Sequence, residues 1–99
     1  MAGVQLGSGE KPAEDSLLLR RKRALYRAQH RGTKEMDWMV GNYAEGHLFT
    51  MTPESLVLFE KFLEVGDTEI HSWLFGTASC SDPLFGLLVQ DIRRFNSLS

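Results

Sequence analysis

Cys80 and His71 are the one nucleophile–base pair that the residue types of this chain offer. Thiol or acyl chemistry would need the cysteine held as a thiolate, which takes a cationic neighbour or a helix N-terminus. No cation flanks Cys80 in the Thr77–Ser81 stretch, so a nucleophilic enzyme is a poor fit. His30, His47 and His71 lack the short spacing of metal ligands. A single cysteine excludes an intrachain disulfide and any multi-cysteine metal site. No glycine-rich phosphate loop follows a strand, because the sequence contains no strand pattern.

The charged residues are more informative. Between Leu17 and Lys34 lie Arg20, Arg21, Lys22, Arg23, Arg27, Arg31 and Lys34 with no acid among them, although the whole chain carries a net charge of -2. This is a local basic patch on an acidic protein. Three readings fit it: a solvated helix face, a surface that steers an acidic protein, or a nucleic-acid contact. Nucleic acid would call for interleaved aromatic or amide side chains, and only Tyr26 and Gln29 qualify.

The sharpest local feature is Arg31-Gly32-Thr33-Lys34-Glu35-Met36-Asp37. Glycine admits close backbone approach and a positive φ between two helices. Were the chain helical across this segment, Arg31, Glu35 and Trp38 would share one side, opposite Met36, Met39 and Val40. Trp38 would then stand outside the core as an interface anchor. The plainer reading is an Arg31–Glu35 pair that staples the turn.

Helices must position these residues. The periodicity predicts a first helix from about Leu17 to His30, with Leu17, Leu18, Ala24, Leu25 and Ala28 on one arc and Asp15 or Ser16 as its cap. A second, from Lys34 to about Tyr43, buries Met36, Met39, Val40 and Tyr43, and Gly41 and Gly46 weaken its latter half. Thr52 and Pro53 start a third, whose wide apolar arc (Leu56, Leu58, Phe59, Phe62, Leu63, Val65) marks a central element. Asp67 caps a short fourth helix carrying Ile70, Trp73 and Leu74. Asp82 and Pro83 open a fifth that buries Leu84, Leu88, Ile92 and Phe95, with Arg93 and Arg94 suited to its own C-terminal dipole. The expected fold is all-α: a compact five-helix bundle, one domain over residues 16–96, after a flexible polar tail at residues 1–15.

Length, with 42% hydrophobic and 24% charged residues, suits one small globular domain. No apolar run reaches the roughly 20 residues that span a bilayer. The first 16 residues lack a secretory pattern and, with Glu10, Glu14, Asp15 and no Arg, a mitochondrial one. A cytoplasmic, bacterial protein is expected, or a mitochondrial matrix protein only if a transit peptide precedes this chain.

The Arg-Gly-x-x-Glu-x-Asp motif at residues 31–37, after a basic helix, resembles the signature of the succinate dehydrogenase assembly factor family, the SdhE-type flavinylation factors. Leu58-Phe59-Glu60-Lys61-Phe62-Leu63-Glu64-Val65-Gly66-Asp67, then Ile70 and Trp73-Leu74, resembles that family's third and fourth helices. The resemblance covers about residues 17–75. It implies a five-helix domain that binds the flavoprotein subunit of succinate dehydrogenase, or of the related fumarate reductase, and promotes covalent attachment of FAD to a histidine there. No cofactor is then stably bound by the chain itself; the FAD is held by the partner. The implied partner-facing residues are Arg31, Gly32, Glu35 and Asp37. Trp38, Arg23, Arg27 and His30 join them on the residue reading above. A monomer without catalytic site, nucleic-acid partner or membrane insertion is expected.

Overall fold

The helices that start at Pro53 and Pro83 each open where the sequence supplies an acceptor for free backbone N–H groups. The computed structural model describes residues 12–76 and 78–96. It contains α1 (Pro12–Gln29), α2 (Lys34–His47), a 3-10 turn (Leu48–Thr50), α3 (Pro53–Leu63), α4 (Asp67–Phe75) and α5 (Pro83–Phe95). Thr52 Oγ1 accepts from Ser55 N at 3.1 Å, and Asp82 Oδ1 accepts from Leu84 N and Phe85 N at 2.9 and 3.2 Å. Prolines at the first helical positions of α3 and α5 give up no hydrogen bond there. The all-α, five-helix expectation holds among the described residues.

The first helix starts earlier than expected. Residues 1–11 of the expected tail lie outside the described residues, but residues 12–15 are helical. Asp15 and Ser16 therefore lie inside α1 and do not cap it. Pro12 takes the first helical position, where its missing N–H costs no hydrogen bond.

α2 also runs on, through Gly41 to His47. A Cβ at Gly41 would stand 3.3 Å from Gln29 Cα and 3.5 Å from Ala28 O. Ala24, Ala28 and Ala44 are buried with it. The glycine costs α2 some intrinsic helicity, and that cost is offset by bringing the two helix backbones close enough for dense packing.

α3 is the hub. Phe59 meets Tyr43 of α2, Phe62 meets Trp73 of α4 and, edge-on at 5.7 Å, Phe85 of α5, while Glu60 accepts from Arg20 of α1. Leu56, Phe59, Phe62 and Leu63 are buried, so this helix alone contributes several side chains at about 1.5–3 kcal/mol each. Leu58 and Val65 are only half-buried, and Leu18, Leu84 and Phe95 are exposed, against expectation; Val89 is buried instead. Arg93 and Arg94 lie in the last turn of α5 as expected; Arg93 also donates to Leu74 O at the end of α4, and Arg94 pairs with Asp91. Asn96 Nδ2 ties the end of α5 to Met39 O of α2 at 3.1 Å.

Tyr43 lies in this core, where burial first and the Asp91 carboxylate second push its phenol above the ordinary value of 10.0. A raised folded-state value means stability is complete below about pH 10 and is lost as pH rises through that higher value. Thermal melts from about pH 9 to pH 12 should therefore show Tyr43→Phe losing less stability at the alkaline end than wild type.

Candidate partner-binding site

α1 ends at Gln29, and the next four residues turn the chain into α2. His30 stacks on Tyr26 with ring centroids 4.0 Å apart and places Nδ1 2.8 Å from Tyr26 O. Thr33, extended at φ -134° and ψ 161°, caps α2 through Oγ1, which accepts from Met36 N at 3.2 Å. Asp37 reaches back to accept from Arg31 N. The chain is not helical across residues 30–33, so the expected Arg31–Glu35 pair does not form.

Arg31 turns inward. Its side chain is only 9% exposed. Nη1 donates to Leu63 O at 2.6 Å and Nη2 to Val65 O at 3.0 Å, while Nε donates to Asp67 Oδ1 at 2.8 Å. Leu63 O is the last carbonyl of α3, where helical acceptors are left without partners, and Val65 O lies two residues beyond it. Asp67 is the first residue of α4, where a negative charge is favoured. One ion pair thus joins the negative end of α3 to the positive end of α4. Asp67 was expected to cap α4; the cap position is Gly66, and the carboxylate is directed to the Arg31–Gly32 segment instead.

Gly32 is required by that same carboxylate. Its N–H donates to Asp67 Oδ2 at 2.8 Å. A Cβ there would lie 2.5 Å from Oδ2, well inside contact distance. The close approach is made by the chain's own aspartate, and no positive φ is involved.

Of the other predicted site residues, Glu35 is 70% exposed and Trp38 55% exposed. They lie three residues apart on one side of α2. Arg23 and Arg27 lie exposed on α1 and His30 exposed just after it, and no hydrogen bond or ion pair among the described residues links them to Glu35 or Trp38. The basic stretch is thinner than its composition suggested. Arg20 is paired with Glu60, whose hydrogen bond raises the arginine's pKa further, and Arg21 donates to Met51 O at 2.7 Å. With Arg31 also engaged, Lys22, Arg23, Arg27 and Lys34 remain as cations without an internal partner among the described residues.

Cys80 and His71 are not brought together. Cys80 Sγ lies 3.6 Å from Asp82 O, whereas His71 faces Glu35. No group of three or more His, Cys, Asp or Glu residues is placed to hold a metal among the described residues. No helix among them is long and apolar enough to cross a membrane.

The family model described as flavinator of succinate dehydrogenase, Sdh5, matches residues 22–96. The chain belongs to this family. It is 41% identical over 85 residues to the FAD assembly factor SdhE of Acetobacter pasteurianus, covering 82% of this chain and 78% of the relative. The SdhE of Shewanella oneidensis is 30% identical over 66 residues, 67% of this chain and 80% of the relative. The mitochondrial succinate dehydrogenase assembly factor 2 of Penicillium rubens is 32% identical over 59 residues, 60% of this chain. The chain spans only 19% of that longer fungal protein. No solved structure gives a significant match. In this Sdh5-family chain the matched region contains the whole Arg31–Asp67 joint and all four helices after α1.

Proposed function

We propose that this chain docks on the flavoprotein subunit of succinate dehydrogenase and promotes covalent attachment of FAD to it, contributing no catalytic group of its own. The family membership sets the process. The observation that carries the docking role is the joint: Arg31, Gly32 and Asp67 lock two helices together, and Glu35 and Trp38 project from the result. An exposed carboxylate and indole on a fixed frame lose little freedom on binding, which favours affinity. A cytoplasmic monomer suffices for this role, and a fumarate reductase flavoprotein is a second client of the same chemistry.

In this reading the FAD belongs to the partner. Attachment requires the flavin methyl carbon held against its acceptor histidine, a problem of positioning. A domain that binds the competent conformation about 100-fold more tightly than the alternative shifts that equilibrium by about 2.7 kcal/mol. Arg31 acts by shaping the surface, and Glu35 by a charge-assisted bond to the partner.

The test is a strain lacking this chain, with its succinate dehydrogenase flavoprotein run on denaturing gels and read for covalent flavin fluorescence. The fluorescent band is expected to disappear, to return with the wild-type chain, and to stay absent with Gly32→Arg. An unchanged band in the deleted strain would overturn the assignment.

A further inference from the structure

We infer that the partner-docking surface does not stop at α2 but crosses onto the outer face of α4, with His71 and Phe75 as further contact residues; this rests on the docking role proposed above. α4 carries an outward stripe. Thr68, His71 and Phe75 are exposed and Ser72 half-buried at i, i+3, i+7 and i+4, with Glu69 exposed beside them, while Ile70 and Leu74 are buried beneath. The stripe meets α2 at one point, where His71 Nε2 lies 3.8 Å from Glu35 Oε1. The motif acid and the α4 stripe are therefore parts of one continuous surface.

Three properties of that surface fit it for a protein partner. First, 3.8 Å is too long for a hydrogen bond, and Glu35 has no other internal partner among the described residues. Its carboxylate is left able to accept from outside. Second, the acid and imidazole are flanked by exposed aromatic groups, Trp38 on α2 and Phe75 on α4, the latter 40% exposed and tilted against the His71 ring at 4.7 Å. Aromatic anchors around a small polar centre are typical of the energetic core of an interface. Third, the Arg31–Asp67 pair ties the linker that opens into α2 to the first residue of α4, which holds the two parts in register. The occupant that matches is a patch of the flavoprotein bearing an arginine or lysine to meet Glu35, with an apolar recess beside it for Phe75.

The experiment measures binding of the full chain to the purified flavoprotein subunit carrying non-covalent FAD, by titration calorimetry, for wild type, Glu35→Ala, His71→Ala, Phe75→Ala and Leu87→Ser. Leu87 is exposed on α5, in a groove lined by Tyr43, His47 and Met51. His71→Ala and Phe75→Ala are each expected to weaken binding about fivefold or more, and Leu87→Ser to leave it unchanged. Thermal midpoints of the two α4 variants should stay within about 2 °C of wild type, since both side chains are exposed. Wild-type affinity in both α4 variants, with Glu35→Ala weakened, would overturn this inference and leave the docking role standing. Failure of the wild-type chain to bind at all would remove both.

Discussion

Asp67→Ala is expected to destabilise this domain by about 3 kcal/mol and to abolish covalent flavin in the client, although Asp67 is outside the signature motif. The carboxylate bonds to both Arg31 and Gly32 N. Its removal leaves a nearly buried guanidinium with two carbonyls and no counter-charge. Breaking a buried pair costs about 3–5 kcal/mol, and the partial exposure of Asp67 places the loss near the lower end. Small domains have a total stability of only about 5–10 kcal/mol, so the effect will be plain in urea unfolding curves as a lower midpoint at constant slope. Asp67→Asn keeps an acceptor for Gly32 N and is expected to recover part of the loss. If Asp67→Ala unfolds like wild type, the joint contributes nothing to the fold.

Gly32→Ala is expected to be nearly as harmful, for a reason that the same carboxylate makes testable. The added methyl would sit 2.5 Å from Asp67 Oδ2. Either the aspartate withdraws, breaking the pair with Arg31, or the linker moves and carries α2 with it. Overpacking of this kind costs about 1–3 kcal/mol, and the flavin fluorescence of the client should be lost with it. Arginine at this position is expected to do worse. The diagnostic result is the double variant Gly32→Ala with Asp67→Ala. With no carboxylate to strike, the methyl should add little, so the two losses should be strongly sub-additive. Simple additivity would mean that Gly32 serves something other than room for Asp67.

Much of the fold was legible because its signals are local. Thr52-Pro53 and Asp82-Pro83 each place a cap and a proline in adjacent positions, and both helices begin there. Met36, Met39, Val40 and Tyr43 of α2 and Leu56, Phe59, Phe62 and Leu63 of α3 are buried as spacing alone predicts. Gly41 was read as a weak point because propensity sees one helix at a time; its value lies in the approach of α1. α1 was started too late because its first turn has no apolar spacing, although Pro12 and the acids behind it are start signals. The motif was legible as a local feature, but its internal bonding was not. Arg31 and Asp67 are separated by 36 positions, and no periodicity connects them. Asp67 was in view as a helix cap, and the resemblance included it, yet only the packed structure shows which donors its two oxygens accept from. The exposed Glu35 and Trp38 were better anticipated, since side-chain direction within one helix is a local property.

The Arg31–Asp67 pair also sets an order of events during synthesis. Arg31 emerges early, just after α1, but Asp67 and the Leu63 and Val65 carbonyls follow more than 30 residues later. At the usual rate of about 5–20 residues per second, the motif waits seconds for its other half. Until then Gly32 and Glu35 belong to an unlatched strip of chain, with no α4 to complete the surface. A growing chain therefore cannot complete the proposed docking face before α4 has begun and Asp67 has latched, and truncation before residue 67 is expected to yield a chain that carries the motif without the joint.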